Sequence, residues 1–233
     1  MISLHNVSKH YRSLAGRRVV LDNVNALFPT GRRVGVLGAN GVGKSTLIRL
    51  LSGIELPNAG TVRRQGRVSF PLGFGGTFHP KLSGKENVVF LARLYGASEQ
   101  HVLRYVDEFS ELGQYLKMPV ETYSSGMRAK LAFGACLAID FDIYLIDEVT
   151  AVGDARFQVR CQAAFEARMS SADIIMVSHS LHTIRAYCDV GAVLADGRLS
   201  MFPNLEGAID AHSAAMRGPQ INQSVLTAEA THA

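Results

Sequence analysis

Apolar and polar residues alternate along residues 2–36, with Val20, Val24, Ala26 and Phe28 in one phase and breaks at Gly16 and from Pro29 to Gly31. A period of two marks a half-buried strand, so this stretch predicts antiparallel hairpins. An unbroken apolar run at 34–37 leads into a glycine-rich turn. Leu47, Ile48, Leu50 and Leu51 then follow at helical spacing up to a stop at Gly53, so a strand, a loop and a helix come in immediate succession. Ser83 with Glu86 three residues on has capping-box spacing and opens a helix carrying Val88, Val89, Leu91, Ala92 and Leu94. A second helix is predicted at 99–112, with Val102, Val106 and Phe109 on one face and Gly113 and Pro119 beyond it. After Ser125 a third apolar helix runs to about Ala138.

Strands and helices then alternate at 143–146, 156–169, 174–177, 181–187 and 190–194, a rhythm that predicts a parallel sheet with covering helices. Asp196 and Gly197 signal a turn into a short strand, and 205–216 reads as a closing helix. The organisation expected is one domain over 1–217, with a helical subdomain at about 78–138. The polar tail 218–233, whose one charge is Glu229, is expected to be disordered.

Composition narrows the setting. A chain of 233 residues, 47% hydrophobic and 19% charged, can bury a sizeable core. No apolar run approaches the roughly 20 residues that cross a bilayer. Cys136, Cys161 and Cys188 are odd in number and far apart, which predicts a reduced, cytoplasmic setting rather than a disulfide framework. The histidines lack metal-ligand spacing, so no metal held by a protein cage is expected. The net charge of +4 is uneven, because residues 1–67 hold eleven Lys or Arg against Asp22 and Glu55. The pairs Arg17/Arg18, Arg32/Arg33 and Arg63/Arg64 read either as contacts to phosphates, lipid headgroups or nucleic acid, or as solvated turn residues.

Residues 38–46 read GANGVGKST, the pattern GxxxxGK followed by Ser or Thr, set between an apolar strand and a helix as that pattern requires. Gly38, Gly41 and Gly43 allow a close backbone approach that a Cβ would obstruct, so successive N–H groups can turn to phosphate oxygens. The helix N-terminus adds partial positive charge, Lys44 a full one, and the Ser45 hydroxyl can complete a Mg²⁺ shell. The candidate nucleotide contacts are therefore Gly38, Asn40, Gly41, Gly43, Lys44, Ser45 and Thr46.

Residues 141–148 read FDIYLIDE, a buried strand whose carboxylates emerge at its C-terminal end, where a parallel sheet presents ligands. Asp147 can hold Mg²⁺ through water, and Glu148 can orient or deprotonate an attacking water. A further strand at 173–178 brings His179 to the same edge, where an imidazole can contact a γ-phosphate or that water. YSSGM at 123–127 opens the third helix; its small residues and free N–H groups are either a second phosphate site or a plain helix cap.

Taken in this order, GANGVGKST, YSSGM, IYLIDE and SHS resemble the nucleotide-binding subunit of ABC transporters over residues 2 to about 216. The resemblance implies an α/β phosphate-loop (P-loop) NTPase core with a parallel sheet, an N-terminal antiparallel β subdomain and a helical subdomain. It implies ATP with Mg²⁺, bound in a head-to-tail homodimer between the phosphate loop of one subunit and the signature helix of the other. On that basis Ser124, Ser125 and Gly126 meet the γ-phosphate in trans, Glu148 is the catalytic carboxylate, His179 the switch histidine, and Tyr11 stacks on adenine. The turn 151–154 matches the loop that crosses the dimer interface.

Two departures stand out. The signature carries Tyr123, Ser125 and Met127 where LSGGQ has Leu, Gly and Gln, and the expected loop glutamine is replaced by Phe74 or His79, of which His79 can contact Mg²⁺ or water. YSSGM, DEVTAVGDARFQ and FHPKLSGKENV are similar to the ATPases that export capsular polysaccharides. O-antigen or teichoic acid is the alternative cargo. The partners implied are membrane permease subunits that handle the glycan, which places the chain at the cytoplasmic face of the inner membrane. The rival from another class, a soluble ATPase of nucleic-acid metabolism, lacks aromatic residues interleaved with the Arg pairs, so no nucleic acid is expected.

Overall fold

A computed structural model describes residues 1–13, 16–72, 77–147, 155–169, 172–178 and 180–217. In chain order the first elements are β1 (Ile2–Ser13), β2 (Gly16–Phe28), β3 (Arg33–Leu37), α1 (Lys44–Ser52) and β4 (Ala59–Arg64). The helices α2 (Gly84–Leu94), α3 (Glu99–Ser110) and α4 (Ser125–Ala138) follow. The remainder is β5 (Ile143–Asp147), α5 (Ala155–Met169), β6 (Asp173–Val177), α6 (Leu181–Tyr187), β7 (Val190–Ala195), β8 (Arg198–Phe202) and α7 (Leu205–Arg217).

The alternating N-terminal stretch forms a three-stranded antiparallel sheet in the order β2-β1-β4. The continuous apolar runs form a second sheet in the order β5-β6-β3-β7-β8, parallel except for the edge strand β8. Such runs belong in a sheet covered on both faces, because neither face can then carry polar residues. Alternate side chains divide between two cores. Val36, Leu145 and Ile175 pack with Leu47, Ile48, Leu50 and Leu51 of α1 and with Val20 and Phe28 of the first sheet. Leu37, Ile146, Ile174 and Met176 pack on the other face with residues of the helical lobe and of α5 to α7. Phosphate loop and α1 are thus held between the two sheets.

Helix α2 begins where the Ser83/Glu86 spacing predicts, with the two side chains forming the reciprocal capping box. The predicted second helix is shorter than 99–112. It ends at Ser110, because Glu111 takes a left-handed φ of 53°, and 3-10 turns at Gly113–Lys117 and Val120–Thr122 lead to α4. Tyr123, the departure from the commoner signature, is buried there and its hydroxyl donates to the Tyr115 carbonyl at 2.6 Å. Gly84 lies against it, since a Cβ at that position would come within 2.3 Å of the hydroxyl.

Five of the six paired arginines are strand residues, while Arg32 follows the turn that leads into β3. Arg17 and Arg18 lie on β2, Arg33 on β3, and Arg63 and Arg64 on β4. Arg64 donates to the carbonyls of Leu50 and Leu51 at the end of α1, where a cation meets the negative end of the helix. All three cysteines are free and buried. Burial pushes the thiols of Cys161 and Cys188 up to about 12 and raises that of Cys136 as well.

Candidate active site

The loop between β3 and α1 leaves little room for any side chain. Gly43 has φ 119°, and a Cβ there would sit 2.1 Å from Cγ1 of Val20. Gly43 also caps α1 without a side-chain bond, whereas Ser83, Ser98, Ser124 and Ser180 each accept an N–H bond at the head of α2, α3, α4 and α6. No side chain caps the first turn of α1, and the helix dipole favours an anion there. Lys44 is buried, with Nζ donating to the carbonyls of Gly38 at 2.6 Å and Ala39 at 3.0 Å. A phosphate oxygen would offer the same ammonium a charged acceptor in place of a neutral one.

A cavity of about 300 Å³ joins Tyr11, Gly41, Gly43, Lys44, Ser45, Thr46 and Asp147. These seven were expected at a nucleotide site from their spacing or from the resemblance. Val20 and Val177 line the cavity too and were not anticipated, and Arg18, read from the sequence only as one of three Arg pairs open to phosphate or to solvent, lines it as well. Gly38 and Asn40 shape the loop but do not face the cavity. The Ser45 hydroxyl and the Asp147 carboxylate are hard oxygen donors beside a phosphate loop, the donor chemistry that suits Mg²⁺ with a nucleotide.

Tyr11 is tied to α1 by a small polar network. Its hydroxyl donates to Glu55 at 2.6 Å, Arg49 donates to the Tyr11 hydroxyl at 3.2 Å and to Thr46 Oγ1 at 3.1 Å, and Lys9 pairs with Glu55 at 2.8 Å. Burial works to raise the Glu55 carboxyl, but the bonds from Lys9, Tyr11 and Arg49 outweigh it and hold the group down at about 2.

The other predicted residues lie apart. His79 is exposed and outside the cavity, its main chain clamped by Asn87, which accepts from His79 N at 2.8 Å and donates to its carbonyl at 3.1 Å. Ser124 is the cap of α4, accepting from Met127 N at 3.2 Å, and Ser124 and Ser125 are exposed. Ser124, Ser125 and Gly126 do not line the cavity. Glu148, His179, Phe74 and the turn 151–154 lie outside the described residues.

A family model described as ABC transporter matches residues 21–151, more than half of the sequence. The chain belongs to the ABC transporter family. It is an ATP-binding ATPase of that family. The polysialic acid transport ATP-binding protein KpsT of Escherichia coli is 45% identical to this ABC ATPase over 212 residues, 90% of this chain and 97% of KpsT. The capsule polysaccharide export ATP-binding protein CtrD of Neisseria meningitidis serogroup B is 45% identical over 210 residues, again 90% of this chain and 97% of the relative. An O-antigen export system ATP-binding protein RfbB of Klebsiella pneumoniae lies lower, at 37% over 88% of this chain and 86% of its own length. A solved dimeric ATP-binding cassette, in a post-hydrolysis state with ADP and Pi, matches with a TM-score of 0.71 at 20% identity. That match covers 88% of this chain and 100% of the other, and it shows a shared fold.

Proposed function

We propose that this ABC ATPase energises the export of a capsular polysaccharide, working as one of two identical subunits beneath a membrane permease. The observation that carries the cargo is the near full-length likeness, at 45% identity, to ATPases named for polysialic acid transport and for capsule polysaccharide export.

In this reading the N–H groups at the head of α1 and the Lys44 ammonium hold the β- and γ-phosphates, and Tyr11 takes the base. Ser45 and Asp147 would hold Mg²⁺, which would supply charge neutralisation on the phosphates. Glu148 orients the attacking water and His179 contacts the γ-phosphate. In the same reading Ser124, Ser125 and Gly126 at the head of α4, which do not line the chain's own cavity, serve the site of a second copy, and the exposure of Ser124 and Ser125 supports this. Closure of the pair would follow ATP binding, and hydrolysis would reopen it.

For the permease we assign the groove of about 650 Å³ along α2, where Leu82, Val89 and Phe90 lie beside Lys85, Lys117, the capping carboxylate Glu86, and Arg93, which pairs with Glu99. An amphipathic cytoplasmic helix that lays its apolar face on Leu82, Val89 and Phe90 fits that surface. No helix among the described residues is long and apolar enough to cross a membrane. The proposed location is the cytoplasmic face of the inner membrane, held there by the permease.

Two experiments test the reading. Glu148→Gln is expected to retain ATP, lose turnover and accumulate as a dimer in ATP; unchanged turnover removes Glu148 from its role. Deleting the chain from its host is expected to strip polysaccharide from the cell surface while glycan accumulates inside. An intact capsule would remove that cargo.

A further inference from the structure

The cavity holds a cation that none of the sequence motifs contains. Arg18 lies on β2 directly opposite Tyr11 on β1, so the two side chains form a cross-strand pair on one face of the hairpin. The neighbouring Arg17 belongs to the other face, where its Nη2 meets His10 Nδ1 at 3.3 Å. Arg18 reaches the phosphate loop itself, its Nη2 donating to the Gly41 carbonyl. A Cβ built on Gly41 would lie 3.6 Å from the same nitrogen. No carboxylate pairs with Arg18 among the described residues.

The loop is therefore gripped by two cations, Lys44 on the carbonyls of Gly38 and Ala39 and Arg18 on that of Gly41. A neutral carbonyl is a weak partner for a guanidinium, whose planar fork of five donors matches phosphate oxygens two at a time. Arg18 uses one donor on the loop and has others free to face the cavity. Of the charged groups lining the cavity, Arg18 and Lys44 stand against the single carboxylate of Asp147, so its field favours a polyanion.

We propose that Arg18 is a further nucleotide-binding residue, a guanidinium carried on the hairpin opposite Tyr11 that pairs with the polyphosphate of the bound nucleotide. The assignment rests on the ATPase reading of the same cavity. The hairpin thereby contributes to both ends of the ligand, base and phosphates, and couples its own position to the nucleotide's presence.

The test is a charge series in the full chain, with wild type, Arg18→Lys, Arg18→Gln and Arg18→Glu titrated with ATP and Mg²⁺ at low salt and at about 0.5 M salt, where the Debye length falls to a few ångströms. Affinity at low salt is expected to fall in that order, with Arg18→Gln weakened about tenfold or more. The differences are expected to shrink at high salt. A folding defect follows neither the charge order nor the salt, so it is told apart from lost pairing. Four affinities within about twofold of one another, or losses that ignore charge or persist at high salt, overturn the proposal. Wild-type protein that fails to bind ATP would instead overturn the ATPase reading.

Discussion

Gly43 illustrates how narrowly the phosphate loop is built at the level of single residues. Its φ of 119° is closed to other L-residues, and Val20 blocks the space where a Cβ would go. Gly43→Ala is expected to cost at least about 2 kcal/mol of stability by urea unfolding and to abolish ATP binding. Adding Val20→Ala should recover only the part due to collision, leaving the backbone strain. The residues of this loop were legible because phosphate chemistry depends on local spacing, which a sequence displays directly. Asp147 was legible for the same reason, as a carboxylate at the end of an apolar strand. Arg18 was legible only as one of three Arg pairs open to phosphate or to solvent, because its approach to Gly41 depends on the pairing register of β1 with β2. That register shifts between Leu4 and Val7, between Val7 and Lys9, and between Lys9 and His10, and each such slip changes which side chains share a face.

At the level of elements, two junctions hold parts of the site in place. The first joins the N-terminal hairpin to α1 through Glu55. Its folded value of about 2 lies below the ordinary 4.5, so the stability it adds is present above about pH 4.5 and is lost as pH falls toward 2. Glu55→Gln is therefore expected to flatten that acid limb of a stability-versus-pH curve and to leave the neutral plateau lower. The second junction joins α2 to the head of α4. Gly84→Ala should collide with the Tyr123 hydroxyl, and Tyr123→Phe should partly rescue it although alone it loses a hydrogen bond worth about 1 kcal/mol. Thermal unfolding of the four proteins in that cycle measures the coupling; strict additivity would show that the two residues do not meet. The Tyr of YSSGM is thus explained by packing, a reason that no reading of phosphate contacts could supply. The strand β4 escaped the sequence reading because AGTVRR has no buried residue to mark a face, and helix α3 was overrun by two residues because Glu111 gives no sign of its left-handed backbone.

On the scale of the whole molecule, the two-sheet α/β plan was readable from the switch between period-two and continuous apolar runs, since that switch reflects one covered face or two. The proposed assembly was not readable from the residues alone, because a face that would meet a second copy is polar and exposed in a single chain. Specific ATPase activity is expected to rise with protein concentration and then level off as pairs form. Activity per chain that is constant from nanomolar to micromolar protein would mean that one chain completes its own site. The buried thiols bear on how such pairing can be watched. Because the native sulfurs are shielded and held in the unreactive protonated form, a cysteine engineered at the exposed Lys117 would be the sole target for a maleimide dye. The wild-type background therefore needs no stripping before a fluorescent or spin label reports, as a spectroscopic ruler, how far apart two subunits stand through the nucleotide cycle.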